Sequence, residues 1–277
     1  MSTTTHTARD QAISTLEILE MILLRLDMRT LLIAAQRVCR SWVTLINKSD
    51  QIQRALFFSP VAKPDVPMHE KVQNPLLAEA FPSIFPSSGK EFRKCTFAAL
   101  NMNQSNTKRA MYMRKEASWR RMLVQQPPIL DFGLLRKVHC WVGDRARLIK
   151  NHGSKEMPRE KHEGLRMERL FEILLFNEII IWEGWSTNKV RWATDFPLDN
   201  RELDTRERDD DELYAMMPTF GLVIVAHRIM QCSIRPNRPK TEDEQLREQL
   251  VAAYIEAGFD IDLVKSSVNG VEIESVL

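Results

Sequence analysis

Apolar residues recur at three- and four-residue steps near the start of the chain, which is the spacing of an amphipathic helix. Ser14, followed three residues later by Glu17, predicts a capping box that starts this helix, because each side chain can accept from the other residue's amide. The helix is expected to end near Asp27. Five apolar residues share the spacing: Leu16, Leu19, Ile22, Leu23 and Leu26.

Two further short helices are predicted before residue 47. Asp27 or Thr30 is expected to cap the second helix, which carries the apolar run 31–38. Trp42 belongs to the third helix, with Leu45 and Ile46. Three short helices in a stretch of this size bury too little apolar surface to be stable alone. We therefore expect the module to have a binding partner.

The spacing across these helices resembles the F-box, the helical module that docks on the Skp adaptor of Skp–cullin–F-box ubiquitin ligases. The residues that carry the resemblance are 17–23, Leu26, Leu31, Leu32, Val38, Cys39, Arg40 and Trp42. The family often begins with Leu-Pro, whereas Ser14 and Thr15 occupy those positions here. The resemblance implies an adaptor-facing set made of Leu16, Leu19, Ile22, Leu23, Leu31, Leu32, Val38, Cys39 and Trp42.

The chain composition changes after residue 58. Ser49 is expected to cap one more short helix, and Pro60, Pro64 and Pro67 then predict an extended linker. The expected organisation is a disordered leader at 1–10, an F-box-like module at 11–58, a linker at 59–73 and a tail domain at 74–277.

Helices of the tail are predicted at 74–81, 112–123 and 165–176. Thr241 with Glu244 forms a second capping box, and Gly258 supplies a left-handed stop after the helix that it starts. Residues 74–89 and 117–128 are similar to segments that follow the F-box in a large group of fungal proteins.

Short runs of β-branched and aromatic residues predict strands in the tail, with a hairpin turn around 186–188. Strands and helices alternate without a βαβ rhythm. We therefore predict an α+β fold, in which a three-helix N-terminal module precedes a mixed helix and strand tail. The predicted strands are 138–142, 178–185, 189–193 and 220–234.

Residues 108–121 contain six basic side chains against one acidic side chain, Glu116. A basic surface with aromatic neighbours is suited to nucleic acid or to a phosphorylated partner. A solvated helix face is favoured instead, because no nucleic-acid motif accompanies the cluster. The basic patch consists of Lys108, Arg109, Arg114, Lys115, Arg120 and Arg121.

The whole-chain charge does not favour nucleic acid or anionic membrane as a partner. The 277 residues include 39 Lys and Arg against 37 Asp and Glu, a formal net charge of +2. Four widely spaced cysteines and no secretory segment predict reduced thiols, in the cytoplasm or nucleus. Apolar runs are too short for a spanning helix.

The sequence lacks the motifs of common catalytic and metal sites. It has no Gly-rich phosphate loop, no nucleophile elbow and no zinc-protease pair. His139, Cys140, His152 and His162 match no zinc spacing, and the acidic run 209–212 lacks the glycine turn of a calcium loop. We expect no cofactor and no metal.

These features predict a non-catalytic adaptor, whose module binds Skp and through it cullin, while the tail holds an unknown target protein. The alternative is a tail that binds nucleic acid or phosphopeptide through the basic patch. A third interpretation gives the tail an enzymatic site of its own.

Overall fold

The computed structural model describes residues 15–61, 71–85, 94–140, 143–152, 164–184, 186–193, 220–229 and 238–269. The chain forms two compact units, unit 1 (Met1–Ala62) and unit 2 (Lys63–Leu277). The division falls within the stretch 59–73 that the prolines mark as a linker. The helices and mixed sheets make the fold α+β, as the sequence predicted.

The helices of unit 1 follow one another through short turns. Asp27 caps the second helix by accepting from the amide of Thr30 at 2.9 Å, and Ser49 caps the fourth by accepting from the amide of Ile52 at 3.1 Å. Ser49 was the predicted cap of its helix, and Asp27 was one of the two caps predicted for the second helix. The elements are α1 (Leu16–Leu23), α2 (Met28–Ile33), a 3-10 turn (Ala35–Arg37), α3 (Arg40–Lys48) and α4 (Asp50–Ala55).

The start of α1 differs from the prediction. Thr15 is the N-cap residue, and its side chain makes no capping hydrogen bond. Glu17 is therefore the second residue of the helix, one position too early for its carboxylate to close a capping box. Ser14 and the leader 1–10 lie outside the described residues.

Unit 1 has a small apolar core to which all its helices contribute. The Ser49 hydroxyl also donates to the Glu20 carboxylate, which links the start of α4 to α1. A core of this size gives a helical unit only modest stability. The buried cluster consists of Leu19, Leu23, Leu31, Ala35, Ile46, Ile52 and Leu56.

The first half of unit 2 contains short elements. Asn74 caps α5 by accepting from the amides of Leu76 and Leu77, and Pro75 is the first residue of this helix, which was predicted at 74–81. Residues 72 and 73, predicted as part of the linker, instead form a strand. The elements are β1 (Val72–Gln73), α5 (Pro75–Ala80), a 3-10 turn (Asn101–Gln104), α6 (Asn106–Tyr112), α7 (Ser118–Arg121) and β2 (Gln125–Gln126).

The second half of unit 2 contains the main sheet and the longer helices. The predicted capping box of Thr241 and Glu244 is present, and Gly258 has a φ of 78° after the helix ends. The elements are β3 (Asp131–Cys140), β4 (Gly143–His152), α8 (Met167–Phe176), β5 (Thr187–Trp192), β6 (Leu222–Ile229), α9 (Glu242–Glu256) and α10 (Ile261–Asn269).

The four-stranded sheet has the order β4-β3-β6-β5. β3 runs antiparallel to β4 and parallel to β6, and β5 pairs antiparallel with β6. The predicted strands at 189–193 and 220–234 correspond to β5 and β6. The predicted strand at 178–185 and its hairpin are wrong, because the apolar side chains of Ile180 and Trp182 are buried in a turn region that follows α8.

The core of unit 2 is built around α8. Phe171 is fully buried and contacts the rings of Phe81, Trp119 and Tyr254, with centroid distances of 5.8, 5.6 and 6.4 Å. These rings come from the end of α5, from α7 and from α9, so a single helix joins three parts of the unit.

Within the described ranges, no helix is long and apolar enough to cross a membrane.

Candidate functional site

Unit 1 exposes large apolar side chains that its own core does not use. On α1, Ile18 and Ile22 lie four residues apart and so share one face, whereas Leu19 and Leu23 are buried. The helix is therefore apolar on two sides, of which one packs inside unit 1. The exposed apolar set, with 36% to 61% of each side chain accessible, is Leu16, Ile18, Met21, Ile22, Leu26, Ile33 and Val38.

The structure separates the residues predicted to face the adaptor. Leu19, Leu23 and Leu31 are core residues with at most 2% exposure, which corrects their predicted role. Leu32 and Trp42 are half-buried and pack against that core. The remaining four are exposed: Leu16, Ile22, Val38 and Cys39.

Sequence spacing misplaced two kinds of residue on α1. A three- and four-residue rhythm finds apolar positions but does not distinguish a core face from a docking face. Ile18 lies off the predicted stripe and Met21 was not assigned to it, yet both are exposed apolar residues. The sequence indicates these two residues because they are apolar but lie outside the three- and four-residue spacing of the predicted stripe.

Cys39 is an exposed thiol next to Val38 of the exposed apolar set. It is the N-cap residue of α3, and its Sγ lies 2.9 Å from the Ser41 Oγ. The Ser41 hydrogen bond, followed by the amide of Trp42, lowers the pKa of this thiol.

The basic patch does not form one helix face. The predicted helix 112–123 is interrupted, so that Tyr112 ends α6 and Ser118 begins α7. Arg109 is half-buried and Arg120 is buried with 1% exposure. The other four side chains are exposed: Lys108, Arg114, Lys115 and Arg121.

Arg120 is the centre of a buried polar cluster. Its Nη1 lies 2.8 Å from a Glu168 oxygen, 3.9 Å from a Glu172 oxygen and 3.3 Å from the Tyr254 hydroxyl. Its Nε donates to the carbonyl of Arg114 at 3.1 Å. The guanidinium thus connects α7 with α8, with α9 and with the loop between α6 and α7.

Aromatic rings surround the same guanidinium. The Arg120 Cζ lies 4.7 Å from the ring centroid of Trp119, 5.0 Å from that of Tyr254 and 4.3 Å from that of Phe259. Such contacts suit a planar, weakly hydrated cation. Arg120 is therefore part of the core of unit 2 and is withdrawn from any surface that the patch presents.

Glu172 is the second titratable member of this cluster. Burial, and to a smaller extent the nearby Glu168 charge, raises the pKa of Glu172 to about 7. Arg120 and Arg169 act in the opposite direction and lower this pKa. Burial also raises the pKa of the Tyr254 hydroxyl. The cluster can exchange one proton near neutral pH.

The predicted absence of a metal site falls partly outside the described residues. In the described ranges, no group of three or more His, Cys, Asp and Glu residues is placed to hold a metal ion. The rings of His139 and His227 lie 4.6 Å apart on neighbouring strands. His162, the acidic run 209–212 and most of the Pro-rich linker are not among the described residues.

Known proteins offer no direct guide to these surfaces. The chain matches no family model, no curated protein and no solved structure.

Proposed function

We propose that this chain is a non-catalytic substrate-receptor subunit of a Skp–cullin–F-box ubiquitin ligase. Unit 1 docks on the Skp adaptor and through it on cullin. Unit 2 holds a target protein, in the cytoplasm or nucleus. The resemblance of residues 17–42 to the F-box motivates the proposal, and the exposed apolar set of unit 1 supports it.

The carrying observation is that a small helical unit buries one apolar face of α1 and exposes another. Ile18, Met21 and Ile22 are 37%, 61% and 43% exposed, although each would favour burial. Large apolar side chains grouped on a surface are typical of protein interaction sites. A partner that covers them would add the apolar burial that the small core of unit 1 lacks.

The proposed mechanism is tethering. Binding of a target to unit 2 raises the effective concentration of its lysines near the ubiquitin-conjugating enzyme of the ligase. This chain then makes and breaks no covalent bond.

The test uses the full chain and purified Skp adaptor. Ile22→Asp and Val38→Asp place a carboxylate within the exposed apolar set, and we expect each to weaken adaptor binding by about tenfold or more. Gln51→Asp, on the exposed side of α4, is the matched control and should bind normally. Circular dichroism checks that all three variants fold, and surface plasmon resonance measures the binding.

Exposed positions make this test sharper than a core substitution. Leu23→Asp would place a charge in the core, so that lost binding and lost folding become the same event. Normal adaptor binding by the folded Ile22→Asp and Val38→Asp variants would refute the proposal. Failure of the wild-type chain to bind the adaptor would refute it as well.

The alternative function, nucleic-acid or phosphopeptide binding through the basic patch, has less support. Burial of Arg120 removes one cation, and no nucleic-acid motif accompanies the others. A gel shift by the wild-type chain that weakens steeply with salt would favour that alternative, because phosphate contacts release counterions.

A further inference from the structure

An open groove runs between α6 and α9 of unit 2, with a volume of about 800 Å³. Such a volume is within the range of ligand sites. Each helix presents residues three and four positions apart to the groove, so one face of each helix forms a wall. These include Asn106, Arg109 and Ala110 from α6, and Ala252, Ala253 and Glu256 from α9.

Three cations of the basic patch line this groove without a carboxylate partner. Arg109 Nε donates to the Asn103 side-chain oxygen at 3.1 Å, and Lys115 Nζ donates to the Gly258 carbonyl at 2.6 Å. The Arg114 side chain is exposed and makes no ion pair with any described residue. Amide and carbonyl oxygens do not neutralise the charges of Arg109 and Lys115. All three cations therefore keep their positive charge.

The groove also contains two carboxylates, Glu116 and Glu256. The lining therefore carries three positive and two negative side chains, a surplus of one positive charge. Lys108, which is exposed and directly precedes Arg109 on α6, adds another cation near the groove. This balance favours a ligand with negative side chains.

The loop between α6 and α7, which carries Arg114 and Lys115, is held by hydrogen bonds from side chains of α7. Arg120 Nε donates to the Arg114 carbonyl at 3.1 Å, and Trp119 Nε1 donates to the Tyr112 carbonyl at 2.9 Å. A buried guanidinium therefore holds the backbone from which Arg114 and Lys115 project. Rigid support of exposed charges is what a binding site requires.

We propose that the α6–α9 groove binds a short acidic segment of a partner protein. Small side chains of the segment pack over Ala110, Ala252 and Ala253, and its carboxylates pair with Arg109 and Arg114. A guanidinium suits this pairing because it can hold a carboxylate by two hydrogen bonds. The inference deepens the proposed function, since the target protein would supply the segment.

The test measures binding of two fluorescein-labelled peptides to the full chain by fluorescence anisotropy. One peptide consists of glutamate and alanine, and the other of lysine and alanine. We expect saturable binding of the glutamate peptide alone. Arg114→Glu reverses a groove charge, and Ala252→Gln fills the floor at an exposed position without changing the charge. Each should weaken binding by about tenfold or more.

Lys108→Glu is the matched control, because it makes the same charge change on α6 without lining the groove. It should weaken binding by about threefold at most, through the general field alone. Equal losses from Lys108→Glu and Arg114→Glu would overturn the proposal, as would unchanged binding by Ala252→Gln. No saturable binding of the glutamate peptide would overturn it too.

Two further measurements separate the competing explanations. A single-stranded oligonucleotide that binds more tightly than the peptide, and loses binding in the same groove variants, would overturn the assignment to a protein segment. The Ile22→Asp variant should bind the glutamate peptide normally, because its change lies in unit 1. A wild-type chain that binds the adaptor but not the glutamate peptide would therefore refute the groove and leave the adaptor proposal standing.

Discussion

At the scale of single residues, Arg120 and Arg121 show how differently two neighbouring arginines can be used. Arg121 is exposed, whereas Arg120 is 1% exposed and contacts Trp119, Glu168 and Tyr254. Charge alone predicts that both lie in water. The run of basic residues therefore predicted six surface cations. It could not show that Arg120 is buried, because contacts with helices distant along the chain decide this.

We expect Arg120→Met to lower the free energy of unfolding of unit 2 at pH 8 by about 3–5 kcal/mol, because it leaves the Glu172 carboxylate buried without the Arg120 cation. Arg121→Met removes the same side chain from an exposed position and should cost about 0.5 kcal/mol at most. Urea denaturation followed by circular dichroism measures both. Equal losses would contradict the assignment of Arg120 to the core.

Glu172 gives the cluster a pH dependence. Its pKa is about 7 when folded, against the ordinary value of 4.5, so the folded chain binds this proton more tightly. The group's contribution to stability is therefore largest below pH 4.5 and falls as the pH rises through 7. Glu172→Gln should stabilise unit 2 at pH 8, by about 3 kcal/mol at most, and make little difference at pH 4.5.

The matched variant is Glu168→Gln, one helical turn away on α8. Glu168 is more exposed and makes the shorter contact with Arg120, so its loss should destabilise unit 2 at pH 8. Urea denaturation at the two pH values gives the differences from wild type. A Glu172→Gln effect of the same size at both values would contradict the titration of this group.

At the scale of elements, most helix caps could be predicted from the sequence, but the apolar run 178–185 was misassigned as a strand. Caps depend on residues three positions apart, so Asp27, Ser49 and Thr241 could be identified from the sequence. The run 178–185 has strand composition, but Trp182 is held in a turn by donating its indole N–H to the Leu174 carbonyl at 2.9 Å. Composition does not reveal that contact.

The capping box of α9 offers a test at this scale. Thr241→Ala removes the side chain that accepts from the Glu244 amide, so it should lower the free energy of unfolding of unit 2 by about 0.5–2 kcal/mol. Thr107→Ala, at an exposed position within α6, should change it by about 0.5 kcal/mol at most. Thermal unfolding followed by circular dichroism compares them, and equal midpoints would contradict the cap.

At the scale of the whole molecule, the α+β class followed from local patterns but the strand order did not. β3 and β6 pair in parallel, with Phe132 opposite Leu222, and no local sequence pattern specifies a partner so distant along the chain. Local patterns also did not separate the exposed apolar residues of unit 1 from those of its core. Of the predicted adaptor-facing residues, Leu16, Ile22 and Val38 are exposed, whereas Leu19 and Leu23 face inward from α1.

The two units should unfold separately in the full chain. The buried cluster of unit 1 is drawn entirely from residues 19–56 and is small, so its transition should come at the lower temperature. Leu23→Ala removes a fully buried side chain from that cluster and should cost unit 1 about 2–5 kcal/mol. Leu174→Ala, also fully buried, should cost unit 2 a similar amount.

Differential scanning calorimetry of the full chain decides this. Leu23→Ala should lower only the first transition and Leu174→Ala only the second, because each removes contacts within one core. Equal shifts of both transitions by either variant would show that the units unfold as one. If unit 1 docks as proposed, added Skp adaptor should raise the first transition, since a ligand of the folded state stabilises the unit that it binds. The Ile22→Asp variant should lose this increase while keeping the second transition unchanged.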